Sequence, residues 1–129
     1  VPVWRYLYFG DWANVRRAPG IGAFHGSELS LVYGTPKFQE STIQSSSAEN
    51  EVEELLMSSW AGFARDPYNY LSTIGWPKYV SDKSTLIRIA YNNSQVISLT
   101  VPDQYDIECK PVYEPSIDSI DSIMYGSGG

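Results

Sequence analysis

Between Val3 and Phe9 the chain reads Val-Trp-Arg-Tyr-Leu-Tyr-Phe, an alternation rich in β-branched and aromatic residues that predicts a strand, closed by Gly10-Asp11. Asp11 to Phe24 is turn-rich, and Ala18-Pro19-Gly20 breaks any regular element, so this stretch is expected as a loop. Ser27 is placed to cap a short helix through Tyr33 that ends at Gly34, with Glu28 in a first turn where the helix dipole favours negative charge. Lys37 to Ser47 is polar and Ser/Gln-rich, a flexible connection with no core signature.

The pattern then changes period. Ser46-Ser47-Ala48-Glu49 forms a capping box, and Val52, Leu55, Leu56, Trp60 and Phe63 fall on one helical face, which predicts a helix from about Ala48 to Arg65 stopped by Asp66-Pro67. The acidic cluster Glu49 to Glu54 reads as a charged first turn facing solvent rather than a cation site. Pro67 to Tyr79 is aromatic and proline-punctuated: Tyr68, Tyr70, Trp76 and Tyr79 suit a long loop packed on the domain, the alternative being a flat aromatic platform for sugars. Thr85 to Tyr91 and Gln95 to Val101 are β-rich runs separated by Asn92-Asn93-Ser94 and predict a late hairpin. From Pro102 onward prolines and acids multiply, and the Ser-Ile-Asp triplets of Ser116 to Ile123 are too short to build a solenoid. Residues 111–129 are expected as a disordered tail.

Composition narrows the class. At 129 residues with 43% apolar and 14% aromatic side chains, the chain has the make-up of one globular unit. Its net charge of −6 and scattered Lys and Arg provide no basic stripe for phosphates, so no nucleic-acid partner is expected. No run of about eighteen apolar residues predicts a membrane span, and no basic-then-apolar leader opens the chain. Cys109 is the only cysteine and has no intrachain partner; it is either an isolated thiol or paired with an upstream segment. One histidine and one cysteine do not make a metal-ligand set, so no metal or organic cofactor is implied. Asn92-Asn93-Ser94 is a glycosylation sequon at Asn92 that matters only in a secretory setting.

The candidate chemistry sits in Gly20-Ile21-Gly22-Ala23-Phe24-His25-Gly26-Ser27-Glu28-Leu29, where the only histidine lies in a glycine-rich loop. An imidazole titrates near neutrality, which suits it to general acid/base work, but chemistry needs a second group. No G-x-S-x-G elbow occurs in the sequence. Ser27 lacks that exposed turn and is read as structural. The spacing Gly20-x-Gly22-x-x-x-Gly26 misses the dinucleotide fingerprint by one position, so Gly22 and Gly26 are read as loop scaffold that lets the chain turn around His25.

Those residues carry a resemblance. Trp4-Arg5-Tyr6, the Gly22 to Leu29 stretch, Tyr33-Gly34, Trp60-Ala61-Gly62-Phe63-Ala64-Arg65-Asp66-Pro67 and Gly75-Trp76-Pro77-Lys78-Tyr79 together resemble the C-terminal end of a type-B carboxylesterase or lipase, the cholinesterase-like branch of the α/β-hydrolases, and fungal secreted members most of all. The likeness covers residues 1 to 91, weakens to about 110 and is lost beyond. It implies an α/β fold in which this chain is a C-terminal fragment: a late sheet strand, the histidine loop, an amphipathic helix and a late β-hairpin within residues 1–110.

The resemblance further implies a serine ester hydrolase with chain order serine, acid, histidine, in which His25 matches the base while the nucleophile and the acid lie upstream of Val1. Phe24 would line part of the pocket for an ester substrate, and Glu28 would anchor the loop by accepting backbone hydrogen bonds, since the triad acid belongs to a separate loop. The isolated chain is then expected to be inactive, to require the upstream part of its hydrolase domain as partner, and to self-associate through uncovered core faces. A secreted setting is implied by the fungal likeness. Two alternatives come from other classes: a non-catalytic esterase-like interaction protein, and a carbohydrate-binding module using Tyr68 to Tyr79.

Overall fold

A computed structural model describes residues 1–35 and 42–107. The expected loop around Lys37, Cys109 and the tail 111–129 fall wholly or mostly outside the described residues.

The expected strand is present as β1, Arg5–Tyr8, and the two late runs form β2, Leu86–Ile89, and β3, Ser98–Thr100. They make a mixed sheet of order β1-β2-β3. β1 and β2 pair in parallel, Tyr6 opposite Ile87, whereas β2 and β3 form the antiparallel hairpin, Ile87 opposite Leu99. A parallel pair needs a long crossover. Here it carries α1, Leu29–Val32; α2, Ser47–Arg65; and α3, Tyr70–Thr73. The chain is thus a mixed α/β unit.

Side-chain alternation along β1 separates two faces. Trp4, Tyr6 and Tyr8 pack on a core of Trp12, Leu31, Val52, Leu56, Leu71, Trp76, Ile87 and Ile89 beneath the helices. Burying a Leu, Ile or Val fully is worth about 1.5–3 kcal/mol, so this cluster supplies the main cohesion of the fragment. Leu86 is also fully buried yet outside that cluster, so β2 is covered on both sides, as an inner strand in a parallel pair must be. On the opposite face Phe9 meets Tyr91 and Tyr105 at centroid distances of 5.2 and 5.8 Å. Pro102 is fully buried and leads into α4, Asp103–Asp106. Arg5 forks onto Asp106 and holds that turn in place, Nη2 donating to Oδ1 at 2.6 Å.

α2 begins as the capping box predicted. Ser46 Oγ accepts from Glu49 N at 3.1 Å and Glu49 Oε2 accepts from Ser46 N at 3.3 Å. It ends at Asp66, whose carboxylate accepts from the backbone N–H groups of Tyr68 and Asn69. Gly62 permits the next turn to approach: a Cβ there would lie 1.9 Å from the Tyr70 ring.

Candidate functional site

The loop that carries His25 is tied down at its entrance by three elements. Tyr8, at the end of β1, accepts a hydrogen bond from Trp12 Nε1 at 2.7 Å. The two side chains close over Gly10, where a Cβ would meet the Tyr8 hydroxyl at 2.2 Å. Burial, reinforced by the charges of Glu49 and Glu28, pushes the Tyr8 phenol well above its ordinary range and keeps it protonated. From the β2–β3 connection, Asn93 grips the backbone of Asp11: its Oδ1 accepts from Asp11 N at 2.9 Å and its Nδ2 donates to Asp11 O at 3.0 Å. Asp11 in turn pairs with Arg16 at 3.1 Å.

The third tie comes from α2. Asn14, buried, donates to Glu49 Oε1 at 2.9 Å and to Ser45 Oγ at 3.1 Å. Glu49 therefore uses one carboxylate oxygen for the capping box and the other for the histidine loop. It is 1% exposed, which corrects the expectation that the whole acidic cluster faces solvent. A buried carboxylate is tolerable because both oxygens have donors.

Within this frame the loop turns through left-handed conformations at Gly22 and Gly26, φ 66° and 77°, which a side chain would oppose. Asn14, Arg16, Arg17, Phe24, His25 and Ser27 line a cavity of about 480 Å³. The Arg17 guanidinium lies 4.8 Å from the Phe24 ring centroid, a cation–π contact that fixes one wall. Ser27 is buried, and its hydroxyl accepts from Phe24 N at 3.2 Å instead of capping the next helix. The N-cap of α1 is Glu28, in helical conformation and with no side-chain capping bond. Its carboxylate makes no hydrogen bond among the described residues; its charge acts on Tyr6 and Tyr8 of β1, whose phenols burial already raises. The anchoring expected of Glu28 is thus supplied by Asn14–Glu49 and Asn93–Asp11, both long-range pairs that no local spacing reveals.

His25 itself is exposed at the cavity and forms no hydrogen bond or ion pair among the described residues. An imidazole so placed can take or give a proton, but a catalytic base needs a nucleophile within about 2.6–3.2 Å and a group to orient its other nitrogen. Neither is provided by the described residues. No group of three or more His, Cys, Asp and Glu that could hold a metal occurs among them.

A second cavity, of about 320 Å³, opens between β1 and the C-terminal half of α2. Trp4, Tyr6, Ser59, Trp60, Phe63 and Trp76 line it. Tyr68 is exposed whereas Trp76 is buried in the core, so the Tyr68 to Tyr79 aromatics do not share one open face.

The Carboxylesterase family matches over residues 1–107. Among curated proteins, the chain is 35% identical over 92 residues to secreted lipase 5 of Gibberella zeae, covering 70% of this chain and 17% of that protein. It is 33% identical over 64 residues to chlorogenic acid esterase of Aspergillus niger, covering 50% of this chain and 12% of that one. It is 28% identical over 90 residues to acetylcholinesterase of Bungarus fasciatus, covering 67% and 14% respectively. The chain thus spans less than a fifth of the length of these relatives. No solved structure matches it significantly.

Proposed function

Because the chain belongs to the carboxylesterase family, we propose that residues 1–110 are the C-terminal portion of an α/β-hydrolase-type serine carboxylic ester hydrolase, in which His25 is the general base. The observation that supports this most is the placement of the only histidine, exposed at a cavity on a loop that is anchored to β1, α2 and the β2–β3 connection.

In the complete enzyme His25 takes the proton from a serine hydroxyl as that oxygen attacks the ester carbonyl, and returns it to the departing alkoxide. Water then attacks the acyl-enzyme carbonyl as it gives a proton to the same imidazole, and the imidazole passes that proton to the serine oxygen as the ester bond to serine breaks and the acid leaves. The serine and the carboxylate that orients His25 come from the rest of the hydrolase domain. Phe24, held by Arg17, is an apolar surface beside the base and lines the substrate pocket. The likeness to a secreted lipase favours a secreted enzyme. No helix among the described residues is long and apolar enough to cross a membrane.

Hydrolysis of a short-chain aryl ester tests the reading. The hydrolase formed by this chain together with the serine- and acid-bearing part of its domain turns the ester over, and His25→Ala lowers kcat by about 10²- to 10⁴-fold. Turnover unchanged by His25→Ala would overturn it. The 129-residue chain alone gives no turnover above background.

A further inference from the structure

We propose that Asn92 is an acceptor for an N-linked glycan, carried on the connection between β2 and β3. Asn92-Asn93-Ser94 is the only Asn-x-Ser/Thr triplet in the sequence. A triplet alone is weak ground, because a glycan is large and hydrophilic and the modified nitrogen must stay in water after folding. The structure supplies what the triplet lacks.

Ala90 is buried and left-handed, φ 56°, and starts a tight 3-10 turn at Tyr91–Asn93. Tyr91 is clamped from two sides, by the Arg88 guanidinium 4.0 Å from its ring centroid and by Phe9 edge-on. Asn93 is clamped by both of its hydrogen bonds to Asp11. Between these fixed neighbours Asn92 stands exposed at φ 55°, ψ 34°, a left-handed conformation that asparagine tolerates better than most side chains. Its amide forms no hydrogen bond among the described residues, in contrast to the amides of Asn14, Asn69 and Asn93. One asparagine of the pair is thus committed to holding the histidine loop and the other is free. Only the free one is in register with a hydroxyl two residues on: the Ser94 Oγ accepts from Val96 N at 3.1 Å and keeps its own proton available. A glycan on Asn92 displaces no protein contact.

The modification has a structural corollary. A glycosylated turn must remain in solvent, so the β2–β3 end of the sheet is excluded from whatever surface covers β1. Formation of the glycan joins the Asn92 side-chain nitrogen to the reducing-end carbon of an oligosaccharide delivered on a lipid pyrophosphate, which leaves as that pyrophosphate; no redox step is involved.

The test is expression of the full 129-residue chain behind a cleavable leader in a eukaryotic secretory host. The leader-cleaved pool is recovered from the endoplasmic reticulum and medium together, and the Asn92 peptide is read by mass spectrometry before and after peptide-N-glycosidase. The expected result is a glycan at Asn92, converted to aspartate on enzymatic release. The glycan is lost in Asn92→Gln and Ser94→Ala and kept in Asn93→Gln and Ser94→Thr. Because the reading is taken on every leader-cleaved chain, a variant that folds poorly still reports. Unmodified Asn92 in chains that have entered the lumen overturns the proposal. So does a glycosylated chain whose helical circular dichroism appears only after the sugar is removed, since the turn would then require a bare Asn92. Neither outcome depends on ester hydrolysis.

Discussion

The two ends of α2 are finished in opposite ways. At the N-terminal end Glu49 is buried among donors from Ser46 and Asn14, and both of its carboxylate oxygens accept a hydrogen bond. At the C-terminal end Ser59 is 2% exposed and its hydroxyl has no partner among the described residues, nor has the buried Trp76 Nε1, and Trp60 and Phe63 are 48% and 39% exposed around the groove. Native proteins pair nearly all buried polar atoms, so an orphan hydroxyl beside exposed aromatic rings sets this end of the helix apart from the other. The Glu49 carboxylate is fully paired within this chain. Ser59 and Trp76 at the groove beside β1 are not, and β1 has no strand on its outer side among the described residues.

The sharpest way to break this contrast is at Glu49. Glu49→Ala removes the carboxylate half of the capping box, so that Ser46 N loses its acceptor and the buried Asn14 amide is left with Ser45 Oγ alone, and a loss of about 2–4 kcal/mol follows from a cost of about 1–3 kcal/mol for each donor left short of an acceptor. Urea unfolding followed by helical circular dichroism measures it. Glu49→Gln keeps one acceptor oxygen and should lose less than the alanine variant. An unchanged midpoint for Glu49→Ala would mean that the loop and the helix are not coupled.

Gly62→Ala ranks next. Its new methyl must displace the Tyr70 ring, at an overpacking cost of about 1–3 kcal/mol, set against a gain of up to about 1 kcal/mol from helix propensity. The same urea titration should therefore show a net loss, and a stabilised variant would show that α3 yields freely. Ser59→Ala is the complementary case. Deleting an unpartnered hydroxyl should leave the midpoint within about 0.5 kcal/mol of the parent chain or raise it. A loss as large as that of Glu49→Ala would show that Ser59 already has a partner and would erase the difference between the two ends of α2.

Much of this architecture is legible locally. The β1 alternation, the Ser46/Glu49 box with its run of apolar positions, and the paired β-rich runs each rest on residues close in sequence, and each appears as a strand, the long helix or the hairpin. The elements that the sequence misplaces rest on distant partners. Ser27 looks like a cap, but its hydroxyl turns back to Phe24 N and the helix begins at Leu29 without it. Glu49 looks like one of several solvent-facing acids until Asn14, 35 positions earlier, is brought against it. Pro102 to Asp106 lies inside the unit expected over 1–110, but its seat on β1 also comes from afar, from a buried proline and the fork from Arg5. In the candidate site the same division holds: the histidine and its glycines were readable, whereas the supports at Asn14, Arg16 and Asn93 were not, because their roles exist only across the fold.

The far face of β1 offers a last and smaller test, since it is closed by charge rather than by a satisfied buried junction. The hydrogen bond from Arg5, aided by its charge, holds the Asp106 carboxyl below the usual aspartate range, while Arg5 is held further above its own and stays charged at every accessible pH. The depressed value fixes the sign: the unfolded chain takes up a proton near the ordinary aspartate value of ~3.9, before the folded chain does, so the contribution is full above that pH and is lost as pH falls through the folded value. Glu53, raised by partial burial and by the charges of Glu49 and Glu54, works in the opposite direction and gains stability on protonation. Comparing Asp106→Asn with the parent chain isolates the first effect from the second. The parent should lose stability relative to the variant between about pH 5 and pH 2, with the difference shrinking in high salt because the pair is open to solvent. Parallel curves at all pH values would mean that α4 is held on the sheet by Pro102 and Tyr105 alone.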